Sequence, residues 1–213
     1  MAMKIKGKRS LSSRLWLNRQ LHDPYVKRAQ LEGYRSRAAF KLMEIDDKFH
    51  LIQNAKYIID VGAAPGGWSQ VLSQRSPDNA KIAAIDLLPL SALGKVRQFC
   101  GDFECKNNQL DLLDYMRQGA DLIVSDMAPS SIGHAQTEHV KIMSMAESVY
   151  AFAQNILREN GSLAIKIFQG GKEKLFQESL RKDFQNVCFF KPKSSRNVSA
   201  EIYIIALGFM KCN

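Results

Sequence analysis

Apolar and polar positions along this chain follow two different periods. Short apolar runs occur at Tyr57–Val61, Lys81–Ile85, Leu122–Ser125 and Leu163–Ile167, and they predict strands. Between them, Trp68–Gln74, Val140–Arg158 and Lys174–Lys182 carry apolar residues at helical spacing. Ahead of the first strand, Ala39, Phe40, Leu42, Met43, Ile45 and Phe49 mark a further helical stretch within Arg37–Phe49. Gly161 reads as the C-cap of the long helix, with Arg158 in its last turn. Strands alternating with helices predict parallel pairing, hence an α/β, Rossmann-like, doubly wound sheet. The tail breaks this rhythm. Val187–Phe190 and Glu201–Gly208 are strand-like, with only Pro192–Ser199 between them, and two strands joined by a loop predict an antiparallel pair. No internal repeat, linker or second domain is visible.

The 213 residues, 46% of them hydrophobic, suffice for one domain with a proper core. No run of eighteen apolar residues suggests a membrane span. Cys100, Cys105, Cys188 and Cys212 form no CxxC pair, which gives neither a zinc framework nor a disulfide scaffold and fits a reducing cytosol. His22, His50, His134 and His139 do not cluster as metal ligands either, so no metal is expected. Charge adds more. Eleven basic and two acidic residues fall in Met1–Lys41, so the whole formal excess of +9 lies there. Such a cluster points to a polyanion, most often RNA or DNA. A solvated tail and a transit peptide are the rivals. Because the basic pattern runs past Pro24 into helical periodicity, part of it is expected to belong to the fold. We therefore expect a basic RNA-binding arm over residues 1–36 and a single domain over 37–213.

The stretch DVGAAPGGWSQ starts at Asp60 and joins the first predicted strand to a helix. Its glycines, at 62, 66 and 67, do not fit GxGxxG, because Ala64 stands where the second glycine belongs. No GK[ST] follows, so it is no P-loop. A pyrophosphate ligand is thus disfavoured, and with it a nicotinamide dehydrogenase. Three carboxylates follow successive strand regions: Asp86 in IAAIDLLP, Asp102 in GDF and Asp126 in VSDMAP. Asp86 stands where a carboxylate accepts from ribose hydroxyls, and Asp102 can accept from an exocyclic amine. Each alone is as readily a turn or cap residue. Together they suit a nucleoside that carries positive charge, namely S-adenosylmethionine (SAM).

The segments SSRLWLNRQLHDPYVKRAQLEGYRSRAAFKL, DVGAAPGGWSQ, DLLP, GDF, SDMAPS, KIFQG and SSRNVSAEIYIIA occur in this order from Ser12 to Ala206. On them the chain resembles the FtsJ/RrmJ family of SAM-dependent ribose 2′-O-methyltransferases. The resemblance makes residues 37–213 a SAM-dependent methyltransferase domain and implies a seven-stranded sheet with an antiparallel last strand. It implies a catalytic set at Lys41, Asp126, Lys166 and Glu201, and SAM contacts at Gly66, Trp68, Asp86, Asp102 and Asp126. It further implies a monomer that methylates a uridine of large-subunit rRNA, in the peptidyl-transferase A-loop of the assembled subunit. The compartment would be the bacterial cytoplasm, or the mitochondrial matrix for a eukaryotic source. GAAPGGW and DMAP favour this branch over the tRNA anticodon-loop branch, which tends to read CAAPGSW. Ser130 departs from the pattern, which usually has Asn after DMAP.

The implied reaction is displacement of a sulfonium methyl by a ribose 2′-oxygen, for which the protein supplies alignment and proton handling. The resemblance makes Lys166 the proton acceptor. Burial and Lys41 would favour its neutral form, Asp126 and Glu201 its charged form, so an orienting cation is the alternative. Glu201 would anchor the lysines. A non-catalytic RNA-binding protein on the same fold is the rival in kind, and the intact four-residue set argues against it.

Overall fold

The computed structural model describes residues 22–129, 133–171 and 173–211. Six helices are described: α1 (Pro24–Leu31), α2 (Ala38–Phe49), α3 (Gly67–Arg75), α4 (Lys106–Tyr115), α5 (Ala135–Ile156) and α6 (Glu173–Leu180). Seven strands form one sheet: β1 (Tyr57–Val61), β2 (Lys81–Asp86), β3 (Val96–Cys100), β4 (Ala120–Ser125), β5 (Leu157–Phe168), β6 (Phe184–Phe190) and β7 (Glu201–Phe209). Their order is β3-β2-β1-β4-β5-β7-β6. Pairing is parallel from β3 through β5, and β7 runs antiparallel to both β5 and β6. The doubly wound sheet and the antiparallel last strand agree with the sequence reading.

Strand residues alternate between two cores, as the pleat requires. Ile58 faces Leu42, Ile45, Trp68, Val71 and Leu72 of α2 and α3, together with Ile82, Leu122, Ala164 and Tyr203. Its neighbour Ile59 faces the opposite core with Ile85, Ile123, Ile165, Leu112 of α4, Met143 and Phe152 of α5 and Phe176 of α6. Burial on both faces is why these strands read as continuous apolar runs rather than alternating ones.

Three details differ from the sequence reading. The long helix ends at Ile156, and Arg158 and Gly161 belong to β5. Leu157 is already extended, Asn160 takes a left-handed φ of 64°, and pairing jumps from Ala120↔Leu157 to Leu122↔Ser162. Gly161 serves this turn: a Cβ there would lie 2.9 Å from the Arg158 carbonyl oxygen. The strand region expected ahead of Asp102 is β3, for which the sequence reading gives no bounds, and helix α4 is not read as an element; both carry a thin apolar pattern. In β3 no residue is fully buried, and in α4 only Leu112 is.

The N-terminal segment is fastened to the body from residue 22 onward. Asp23 caps α1 by accepting from the Tyr25 amide at 3.0 Å. Its other carboxylate oxygen takes Arg37, and Arg196 at 3.1 Å. Arg37 also donates to the Ser194 carbonyl. Arg35 donates to the Ser91 and Ala92 carbonyls. The basic positions Lys4 to Arg19, and Ser130 with Cys212, lie outside the described residues.

Candidate active site

The chain order places β1 and β4 side by side with their connections leaving to opposite flanks, and ligands of open α/β sheets bind at such a switch point. A cavity of about 320 Å³ opens there, at the carboxyl ends of β1 to β4. Gly62 and Ala64 follow β1, Asp86 ends β2, Gly101 and Asp102 follow β3, and Asp126 follows β4. Leu87, Leu88, Phe103, Met127 and Met145 of α5 supply apolar wall. Gly62 has φ +77°, and a Cβ on it would lie 2.9 Å from the Met127 amide nitrogen. Glycine at this position lets the β1 and β4 loops meet and leaves the cavity open.

Four carboxylates line this cavity, Asp86, Asp102, Glu104 and Asp126, with no Lys, Arg or His among its described lining residues. Asp86 is held by the amides of Ala64 and Leu88, each at 2.9 Å. Asp102 accepts from the Glu104 amide at 2.9 Å. Both keep lone pairs for a ligand, since a carboxylate has about four acceptor positions.

Asp126 also joins a second constellation. Its Oδ1 lies 3.1 Å from Lys166 Nζ and 3.8 Å from Lys41 Nζ, and accepts from the Tyr203 hydroxyl at 2.6 Å. Lys166 Nζ donates to the Asp126 carbonyl as well. Lys41 Nζ lies 2.8 Å from Glu201 Oε2, and Glu201 Oε1 accepts from Ser195 Oγ at 2.8 Å. The four predicted residues come from four elements: α2, the end of β4, β5 and β7. The β5–β7 register pairs Lys166 with Tyr203 and Phe168 with Glu201, which sets Lys166 and Glu201 on one face of the sheet. Burial opposes ionisation of Asp126, but Lys166, Lys41 and the Tyr203 hydroxyl outweigh it and hold the carboxyl below its ordinary range. Burial, with Asp126 and Glu201, pushes the Tyr203 phenol well up, so it stays a donor.

Lys41 and Glu201 line a recess of about 160 Å³ together with Arg37 and Arg196. The charged cluster thus bridges an acidic, partly apolar cavity and a recess rimmed by guanidinium groups.

The structure does not bring Gly66 and Trp68 into the cavity lining. Trp68 is 2% exposed, donates to the Ala38 carbonyl at 2.8 Å and packs on Tyr203 with ring centroids 5.6 Å apart. Gly66 has φ +106°, with Arg35 where a Cβ would go. Two residues went unrecognised in the sequence. Tyr203 had a signal, since it stands two positions after Glu201 on the same strand face. Asp60 had one as well: it is an acid inside an apolar strand. It is fully buried, and Ser69 Oγ donates to it at 2.6 Å. Burial pushes its carboxyl up to about 7, Asp126 and Asp86 adding to this and the Ser69 hydrogen bond opposing it.

Among curated proteins, the chain is 47% identical to a "Ribosomal RNA large subunit methyltransferase E" of Zymomonas mobilis, over 97% of this chain and 93% of that one. It is 44% identical to the protein of the same name from Rickettsia felis, over 97% and 93% of the two chains. Among solved structures, a ribosomal RNA methyltransferase from Plasmodium falciparum superposes with a TM-score of 0.75 at 29% identity, covering 84% of this chain and 100% of that one. The sequence profile of the FtsJ-like methyltransferases matches residues 34–209. The chain belongs to the FtsJ-like methyltransferase family.

Proposed function

We propose that this protein transfers a methyl group from SAM to a ribose 2′-hydroxyl of large-subunit rRNA, with a uridine of the peptidyl-transferase A-loop as the acceptor. The observation that carries the reading is the Lys41–Asp126–Lys166–Glu201 cluster set between the two recesses. The larger cavity fits the donor: its carboxylate lining, free of cations among the described residues, suits a sulfonium-bearing nucleoside and would repel a dinucleotide's pyrophosphate. Bound there, SAM supplies a methyl already activated on sulfur. Asp86 would accept from the donor's ribose hydroxyls and Asp102 from its exocyclic amine. Gly66 and Trp68 would shape the site from behind, through the loop and Tyr203.

On the other side, Arg37 and Arg196 suit RNA phosphates. Lys166 would meet the acceptor 2′-oxygen and take its proton at Nζ. Asp126 fixes Lys166 through two contacts, and Lys41 and Glu201 complete a cluster of two cations and two anions whose charges balance. A balanced cluster is tolerated in a largely buried site where a lone charge is not. The basic segment up to residue 36 would hold RNA while residues 37–213 carry the chemistry. The names of the relatives favour rRNA over tRNA, and their bacterial sources favour the cytoplasm over the mitochondrial matrix. The protein would act as a monomer on the assembled subunit.

Incubation with tritiated SAM and large ribosomal subunits from cells lacking the gene tests this reading. Label is expected in large-subunit rRNA, as one alkali-resistant ribose-methylated dinucleotide. Label in tRNA alone, or on a base, would defeat it, and absence of transfer would leave a binding protein.

A further inference from the structure

A third cavity, of about 660 Å³, lies over the ends of β5 and β7, between them and the first turns of α5. Val140, Phe168 and Ala200 give it apolar wall, and Gln136, Glu138, His139 and Gln169 give it polar groups. It connects to the cluster described above in two ways. Phe168 stands two residues beyond Lys166 on the same strand face and pairs with Glu201. Ser199 lines both this cavity and the Lys41–Glu201 recess, and its hydroxyl accepts from the Glu201 amide at 3.2 Å. Both ring nitrogens of His139 are buried without a hydrogen-bond partner. Native folds rarely leave such groups unsatisfied, and a ligand that completes them is one explanation. Gly170 closes against the imidazole: a Cβ there would lie 2.7 Å from the ring. Gly171 beside it has φ +107°, and the amides of both glycines donate to Glu173 Oε2, which sets this turn over the imidazole.

We propose that this cavity seats the base of the acceptor nucleotide, with His139 as the side chain that recognises it. This rests on the ribose-methylation reading above. If Lys166 meets a 2′-oxygen, the base on the same ribose must occupy space within one nucleotide of it. Sequence-reading sites for RNA take unstacked bases against aromatic and imidazole rings and hydrogen-bond their edges. A volume of several hundred Å³ with mostly apolar walls and a few polar groups suits a planar heterocycle. A neutral imidazole offers one donor and one acceptor, and pyrimidine edges present both.

The test uses the full chain with SAM bound. Uridine 5′-monophosphate and ribose 5-phosphate are titrated while the imidazole Cε1–H signals are followed by NMR, His139 being assigned from His139→Leu. The nucleotide is expected to move the His139 signal and ribose 5-phosphate to leave it. In parallel, His139→Leu should lower kcat/KM for undermethylated large subunits by roughly 10–100-fold. SAM affinity should be unchanged, and His139→Gln, which keeps a donor and an acceptor, should recover part of the loss. A His139 signal that ignores the nucleotide, or that ribose 5-phosphate moves equally, overturns the proposal, as does wild-type kcat/KM in His139→Leu. If His139→Leu does not fold, His139→Gln supplies the assignment and the titration of the wild-type protein decides. Failure of the methylation reading would show separately, as absence of transfer by the wild-type protein.

Discussion

Lys166 is held at two points by one residue, through the Asp126 carboxylate and the Asp126 carbonyl. That arrangement would hold Nζ in place for either role proposed for it, proton acceptor or orienting cation. Lys166→Ala is expected to cut turnover by about 10²–10⁴-fold while SAM and RNA affinities, measured by calorimetry and filter binding, stay near wild type. Loss in kcat without loss in binding marks a group needed only in the transition state. Lys166→Arg separates the two roles, because arginine keeps the charge but is effectively never neutral. Recovery of most of the rate by arginine would make Lys166 an orienting cation. Asp60 gives a prediction of another kind. Its folded-state pKa of about 7 lies above the ordinary 3.8, so folding favours the protonated form. The stability it contributes is full below about pH 4 and is lost as pH rises through 7. Asp60→Asn removes that titration. In denaturant melts from pH 4 to 8 the wild type should lose up to about 4 kcal/mol relative to the variant. Parallel curves for the two proteins would rule out a raised Asp60.

At the level of elements, the site depends on how closely the β1 and β4 loops approach. Gly62 makes that approach possible, with its positive φ and with Met127 backbone inside the space of a Cβ. Gly62→Ala should cost about 1–3 kcal/mol from the backbone conformation alone. It should also push Met127 out of its place in the cavity wall, so SAM affinity should fall together with stability. Calorimetry and chemical denaturation measure the two effects, and a variant with wild-type values in both would mean that the loops tolerate wider spacing. The β5–β7 pair works the other way, as a rigid support. Its register sets Lys166, Phe168, Glu201 and Tyr203 side by side, and the sheet on either side leaves little freedom to change their spacing. Helix α2 brings Lys41 to the same point, held by Leu42 and Ile45 in the core.

For the molecule as a whole, charge and chemistry divide along the chain. The formal excess lies in Met1–Lys41, while the acidic cavity is built from residues 62–145. Asp23 ties α1 to Arg37 and to Arg196, whose neighbour Ser195 hydrogen-bonds Glu201, so α1 sits beside the recess lined by Lys41 and Glu201. Removal of residues 1–21 deletes Lys4, Lys6, Lys8, Arg9, Arg14 and Arg19 and leaves that tie in place. RNA affinity should fall and its salt dependence flatten, by roughly 0.7–0.9 of logarithmic slope for each phosphate that is no longer neutralised. SAM affinity should not change. An unchanged salt slope would identify the segment as a solvated tail.

The sequence by itself determined the alternation of strands and helices, the antiparallel tail, the rejection of a pyrophosphate loop and the identity of the charged residues. Each of these is written locally, as a run, a spacing or a residue type at a strand end. It did not determine that Arg158 and Gly161 belong to β5, because a helical period continues on paper past the point where Asn160 turns left-handed. Nor did it reveal α4 or the bounds of β3, whose apolar pattern is thin because each has little or nothing fully buried. Only the tertiary structure set Lys41 against Glu201, 160 positions away, and Lys166 against Asp126, 40 positions away. It also turned Trp68 inward to Tyr203, left Asp60 buried with one hydroxyl partner, and left the His139 nitrogens without partners beside a cavity. Distances between remote residues and the burial of a polar group are properties of packing, and the sequence reading had only spacing and residue type to go on.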